Sequence, residues 1–189
     1  MKLLGLAMAC AVAGTVASAN EFAPVMRGYV EKEVMRWVAD PVLVDAIRAQ
    51  NRANADITDA RIGDLDARWQ AEVGAASQPT ITAVLEKPAS AFLRDRVKGS
   101  AGVIAEVFVM DAHGLNVATS GVTSDMWQGD EAKFQETFLM GAGAMHVGEL
   151  EFDESTQSYL GQVSLSIADP DSGAVIGAIS IGLNAEMLF

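Results

Sequence analysis

The chain has 189 residues, a formal net charge of −12, and is 50% hydrophobic with only 6% aromatic residues. Length and apolar content fit one globular domain with a core of small side chains, and they exclude a disordered chain. The acidic balance weighs against nucleic acid and anionic membrane surfaces as partners.

Residues 1–19 read as a signal peptide. Lys2 is the only charge before Glu21, Leu3 to Val16 is apolar, and Ala17-Ser18-Ala19 has the small-x-small pattern of a cleavage site. Cleavage is expected after Ala19, which makes the mature protein periplasmic or secreted. Cys10, the one cysteine, leaves with the leader, so the mature chain has neither a disulfide nor a cysteine nucleophile. No second long apolar run follows, and no membrane insertion is expected after cleavage.

Residues 20–102 form the helical part of the domain. Met26, Val30, Val34, Trp37 and Val38 make an apolar stripe from Glu21 to about Val38. Asp40-Pro41 is a helix start, with Asp40 as N-cap and Pro41 in the first turn. Val42, Leu43, Ala46, Ile47 and Ala49 continue an apolar face. Thr58 can cap a further helix carrying Ile62, Leu65, Trp69 and Val73. Three helices and one long bent helix both satisfy this pattern. Trp37 and Trp69 lie on apolar stripes and are expected in the core. Ile81, Val84 and Leu85 suggest a short helix ended by Pro88, and Phe92, Leu93 and Val97 another short turn, closed by a loop at residues 98–102.

Residues 103–189 change period from 3.6 to two. Val103–Met110 and Leu115–Ser120 read as paired strands around a turn at Asp111–Gly114. A helix is expected from near Asp130 to Met140, then strands at Met145–Phe152, Gln157–Ala168 and Ala174–Leu183. In the fourth strand Tyr159, Gly161, Val163, Leu165 and Ile167 share one face; Leu160, Gln162, Ser164 and Ser166 share the other. The bulky face needs the helices as cover. The opposite face, with Gln162, Ser164, Ser180 and also Leu160 and Ile176, can floor a pocket or stand open to solvent.

The order of elements, with Val109-Met110-Asp111-x-x-Gly114, then Ser120-x-x-Thr123-x-Asp125-x-Trp127-Gln128-Gly129-Asp130-Glu131, and a last strand ending Ile176-Gly177-Ala178-Ile179-Ser180-Ile181-Gly182, resembles a Cache domain of the single-module PDC (PAS-like) extracytoplasmic sensor family. The resemblance implies an α+β fold: a PAS-like five-stranded antiparallel sheet with a long N-terminal helical segment packed on one face. It also implies binding of a small metabolite, an amino acid or carboxylate, on the sheet face opposite the helices. Members usually belong to a membrane chemoreceptor or histidine kinase. This sequence shows no C-terminal transmembrane run and no signalling region, so the expectation is a module that passes ligand occupancy to a receptor or kinase partner.

The ligand-binding candidates are Ser120, Asp125, Trp127, Gln128, Lys133, Gln162 and Ser164. Trp127 can stack over a ligand or close its loop onto the protein. Asp125 can pair with a ligand ammonium or bond nearby amides as turn aspartates do. Gln128 has both donor and acceptor, and Lys133 can meet a carboxylate or face solvent. Ser120, Gln162 and Ser164 would complete a polar lining. A second reading is a protein–protein interaction module acting through the 123–131 loop; a third, a hydrolase, rests only on His113, His146 and the many acids. No metal, cofactor or catalytic signature is present in the sequence, and Glu149, Glu151, Asp153 and Glu154 read as a solvated acidic edge.

Overall fold

The computed structural model describes residues 22–153 and 158–188; the leader expected at residues 1–19 lies outside them. The expected α+β architecture is present. Helices α1 (Ala23–Tyr29), α2 (Pro41–Ala53), α3 (Asp59–Glu72), α4 (Pro79–Leu85) and α5 (Pro88–Gly99) precede strands β1 (Ile104–Met110) and β2 (Asn116–Thr119). Then come a one-turn helix α6 (Ala132–Gln135), a 3-10 turn (Phe138–Met140), and strands β3 (Met145–Asp153), β4 (Ser158–Ala168) and β5 (Val175–Asn184). The sheet order is β2-β1-β5-β4-β3 and all pairs are antiparallel.

The helices start where their caps dictate. Asp40 Oδ1 accepts from the Val42 amide at 3.0 Å with Pro41 next, and Thr58 Oγ1 accepts from Arg61 N at 3.3 Å. The first stripe runs as α1 and then one π turn, Val30–Val34, so residues four apart stay in line. Met26, Val30 and Val34 are fully buried and Val38 nearly so. The first segment, α2 and α3 are separate helices, which resolves the alternative left open by the pattern. Pro88 does not merely end α4: it opens α5, which at 12 residues is longer than the short turn expected there. The chain then reverses through Ala101 (φ 53°) and Gly102 (φ 92°).

The core lies between the helices and the face of the sheet carrying Val107, Val109, Val163, Leu165, Ile179, Ile181 and Leu183. Trp69 is fully buried in a second cluster with Ile62, Ile81, Val84 and Leu115, whereas Trp37 sits at the core margin, edge-on to Phe92. Ile176 departs from strict alternation. The β4–β5 register runs from Ile167↔Gly177 to Ala168↔Val175, so Ile176 is an extra residue, and its side chain packs against the helix-side core. Among the described residues no helix is long and apolar enough to cross a membrane.

Candidate functional site

The sheet face away from the helices, the distal face, is covered only in part. Phe134 of α6 and Phe138 of the following turn stack at 4.9 Å and rest on Phe108, Met110 and Ala178. The helix expected from near Asp130 to Met140 is cut short before Thr137, whose hydroxyl donates back to the Lys133 carbonyl at 2.7 Å and whose φ of −126° is not helical. The short cover leaves a cavity of about 590 Å³ beside it, between α6 and the β3–β4 half of the sheet.

Strand pairing sets the lining. Gln162 lies opposite Gly182, and Gly182 lies opposite Glu106, so these three form one row. A Cβ on Gly182 would stand 2.7 Å from Glu106 Cγ, so the glycine is what gives that side chain its room. Gln162 Nε2 donates to Glu106 Oε1 at 3.3 Å. On β3 the register slips between Val147 and Leu150, a bulge that includes Gly148 and Glu149 and that borders the cavity. His146, Glu151, Phe152 and Leu160 complete this side, with Glu131 and Lys133 across from them. Lys133 bonds Glu131 at 2.9 Å and Gln128 Oε1 at 3.1 Å, and its ammonium stands 5.3 Å from the centre of the Phe108 ring.

Of the expected ligand residues, Lys133 and Gln162 line this cavity and the others do not. Gln128 is buried behind Lys133, with its amide donating to the Asp125 carbonyl. Ser164 is fully buried within the sheet and donates to Ser180 Oγ at 3.0 Å. Ser120 closes the β1–β2 ladder: its amide donates to the Val107 carbonyl and its Oγ accepts from the Val107 amide.

The run 123–131 does not lie over the distal face. It folds back along the β2 edge, where Trp127 bridges Leu115 and the Asn116 amide donates to the Met126 carbonyl. Helix α3 then holds it. Asp66 Oδ1 accepts from the amides of Met126 and Trp127, Trp69 Nε1 donates to the Thr123 carbonyl, and Gln70 donates to Asp125 Oδ1. The Trp127 ring nitrogen donates to the His113 carbonyl at 2.8 Å. Trp127 therefore closes its loop, and the Asp125 carboxylate accepts from the side chains of Gln70 on α3 and of the adjacent Ser124.

Lining residues outside the sequence-based pocket expectations include Glu106, Glu131, His146, Glu149 and Glu151, whereas Leu160 lies on the expected face. Carrying the alternation of β4 and β5 through to β1 would have found Glu106. Glu149 and Glu151 are exposed, in keeping with the acidic edge, but they also rim the cavity. His113 lies in the β1–β2 turn and His146 on β3, at opposite edges of the sheet. Among the described residues no group of three or more His, Cys, Asp or Glu is arranged to hold a metal ion.

No family model matches the chain. No curated protein matches it. Solved structures with similar folds are sensor domains of histidine kinases and chemoreceptors. The sensor domain of the V. cholerae histidine kinase DctB is 15% identical with a TM-score of 0.48, over 88% of this chain and 53% of that one. The sensory domain of the Campylobacter jejuni chemoreceptor Tlp3 with isoleucine bound is 11% identical with a TM-score of 0.39, over 88% and 64%. The ligand-binding domain of the Pseudomonas aeruginosa amino acid chemoreceptor PctC in complex with GABA is 14% identical with a TM-score of 0.38, over 86% and 63%. The chain thus spans between half and two thirds of the length of these structures.

Proposed function

We propose that the protein is a non-catalytic, small-molecule-binding module of sensor type that takes its ligand in the distal-face cavity. The observation that carries this reading is the cavity itself: about 590 Å³, floored by a sheet row of Glu106, Gly182 and Gln162, and walled by α6. That size suits a small metabolite. Four carboxylates line it (Glu106, Glu131, Glu149 and Glu151) against one lysine, which Glu131 already neutralises. The negative excess favours a ligand carrying an ammonium group, an amino acid or amine, over a dicarboxylate. Gln162 supplies a neutral donor and acceptor, and Phe152 and Leu160 supply apolar contact. A leader at residues 1–19, as the sequence pattern suggests, would put this activity outside the cytoplasm, where a receptor or kinase partner would read the occupied state.

The test is thermal unfolding of the purified protein against amino acids, amines and dicarboxylates. A true ligand at about a hundred times its Kd adds about 2.7 kcal/mol of stability. Ammonium-bearing compounds should raise the midpoint, and Gln162→Leu or Glu106→Gln should remove the rise. No shift with any compound, or a preference for dicarboxylates, overturns the reading.

A further inference from the structure

Helix α2 has two apolar stripes, and the core covers the second only in part. Leu43, Val44 and Ile47 are buried. Val42, Ala46, Ala49 and Ala53 follow one another at spacings of three and four along a second stripe. That stripe walls a groove of about 660 Å³ on the helix side of the fold, far from the distal cavity in lining: Leu65 of α3 also lines it, with buried Leu115 and Met126.

One cation lines the same groove. Lys87, just before α5, donates from Nζ to Gln50 Oε1 at 3.1 Å and to the Val117 carbonyl at 2.9 Å. The Val117 oxygen is available because Val117 is itself a bulge: the β1–β2 register passes from Val109↔Ala118 to Met110↔Asn116. An ammonium has three N–H groups, so one remains beyond these two bonds. The ion pairs among the described residues do not include Lys87.

Asp111 is the carboxylate whose charge reaches it, and its oxygens are already taken. Oδ1 accepts from the amides of His113 and Leu115, and Oδ2 accepts from Gln50 and Asn54. Burial lowers the Lys87 pKa below its ordinary value, and the Asp111 charge opposes that shift. Asp45, the other charged residue of the lining, is exposed and paired with Arg48 at 3.5 Å. The groove therefore offers an apolar trough with one partly desolvated cation.

We infer that this groove is a second ligand site, and that it takes a monocarboxylate with an aliphatic tail. The carboxylate accepts from Lys87 Nζ, and the hydrocarbon lies along Val42, Ala46, Ala49, Leu65 and Met126. A carboxylate supplies the direct ion pair that Lys87 lacks among the described residues, where Asp111 acts on it only at a distance. A dicarboxylate would set its second charge against alanines and methionine, which offer it no donor. Gln50 bonds both Lys87 and Asp111, so the headgroup would sit on the hub that joins α2 to the β1–β2 turn.

Calorimetric titration of the purified protein with octanoate tests this, with octanol and octylammonium as controls. Octanoate should bind saturably, one per chain, and octylammonium about tenfold or more weakly, the worth of one charge-assisted hydrogen bond. Ala49 is exposed, so Ala49→Trp should fold and block the trough, abolishing octanoate binding. Lys87→Met should leave octanoate no better than octanol; if that variant does not fold, Ala49→Trp decides. Absence of octanoate binding, equal binding of octylammonium, or undiminished binding by Ala49→Trp overturns the inference. Gln162→Leu, on the opposite face of the sheet, should leave octanoate affinity unchanged, so failure here and failure of the distal-cavity reading are told apart.

Discussion

Ile181 and Gly182 are adjacent in β5 and serve different chemistries. Ile181 points to the helices, is fully buried, and belongs to a layer of branched aliphatic side chains closed on every side. Gly182 points the other way, into a row with Glu106 and Gln162 at the floor of an open cavity. The same alternation runs through β1 and β4, so one face stabilises the fold while the other is left small, polar and partly uncovered. The comparison teaches that a sheet can give up apolar burial on one face when the other carries a fully buried aliphatic layer.

The largest effect should come from the closed face. Ile181→Ala removes most of a fully buried side chain and should cost about 2–5 kcal/mol in denaturant unfolding. A loss near zero would mean that the helix layer is not what holds the sheet.

Next is the joint between that layer and the β4–β5 loop. Arg48 of α2 donates from Nε and Nη2 to the two oxygens of Asp169, both at 2.7 Å, and from Nη2 to Asp171. The Arg48 guanidinium, helped by the Asp171 and Ser172 amides, holds the Asp169 carboxyl well below its ordinary 3.8, against a smaller opposing effect of desolvation. A carboxyl depressed in the folded state stabilises the fold above its unfolded value and loses that contribution as pH falls below it. Asp169→Asn should therefore lower the unfolding midpoint at neutral pH, and the gap from the parent protein should narrow as the pH is taken below about 3.8. A gap independent of pH would assign the loss to packing.

On the distal face the effects should be smaller. Ser180→Ala leaves the buried Ser164 hydroxyl without its acceptor and should cost about 1 kcal/mol. Gln162→Leu, half-buried at the cavity, should change stability by no more than about 0.5 kcal/mol while removing ligand-induced stabilisation. If Gln162→Leu destabilised the protein as much as Ile181→Ala, the division between the faces would be gone.

The parts legible in the sequence are those written in local pattern. Asp40-Pro41 and Thr58 mark helix starts through bonds to amides two and three residues on. The alternation from Tyr159 to Ala168 sorts the two faces of β4 without knowledge of its neighbours. The position of the run 123–131 is not legible because its partners, Asp66, Trp69 and Gln70, lie more than fifty residues away on α3 and no periodicity links them. Alternation along β1 puts Glu106 on the distal face, but only the register of β1 against β5 sets it beside Gly182. Ile176 broke alternation because a bulge, invisible in composition, adds one residue to its strand. Lys133 and Gln162, which line the cavity, stand out locally, one in the first turn after a polar loop and the other on a small-residue face.

The bulges have a mechanical consequence. Those at Ile176 and Val117 each leave a strand carbonyl turned out of the ladder, and a side chain from the helical layer takes it: Asn51 Nδ2 bonds the Ile176 oxygen at 2.7 Å, and Lys87 Nζ the Val117 oxygen. They work as sockets, and the polar side chains are the pegs. Sliding α2 along its axis by one residue, about 1.5 Å, would pull Asn51 from its socket and tear Gln50 and Asn54 from Asp111 in the same stroke. A helix keyed in this way is far easier to tilt about its pegs than to push past them, so any movement passed on by this layer would be angular.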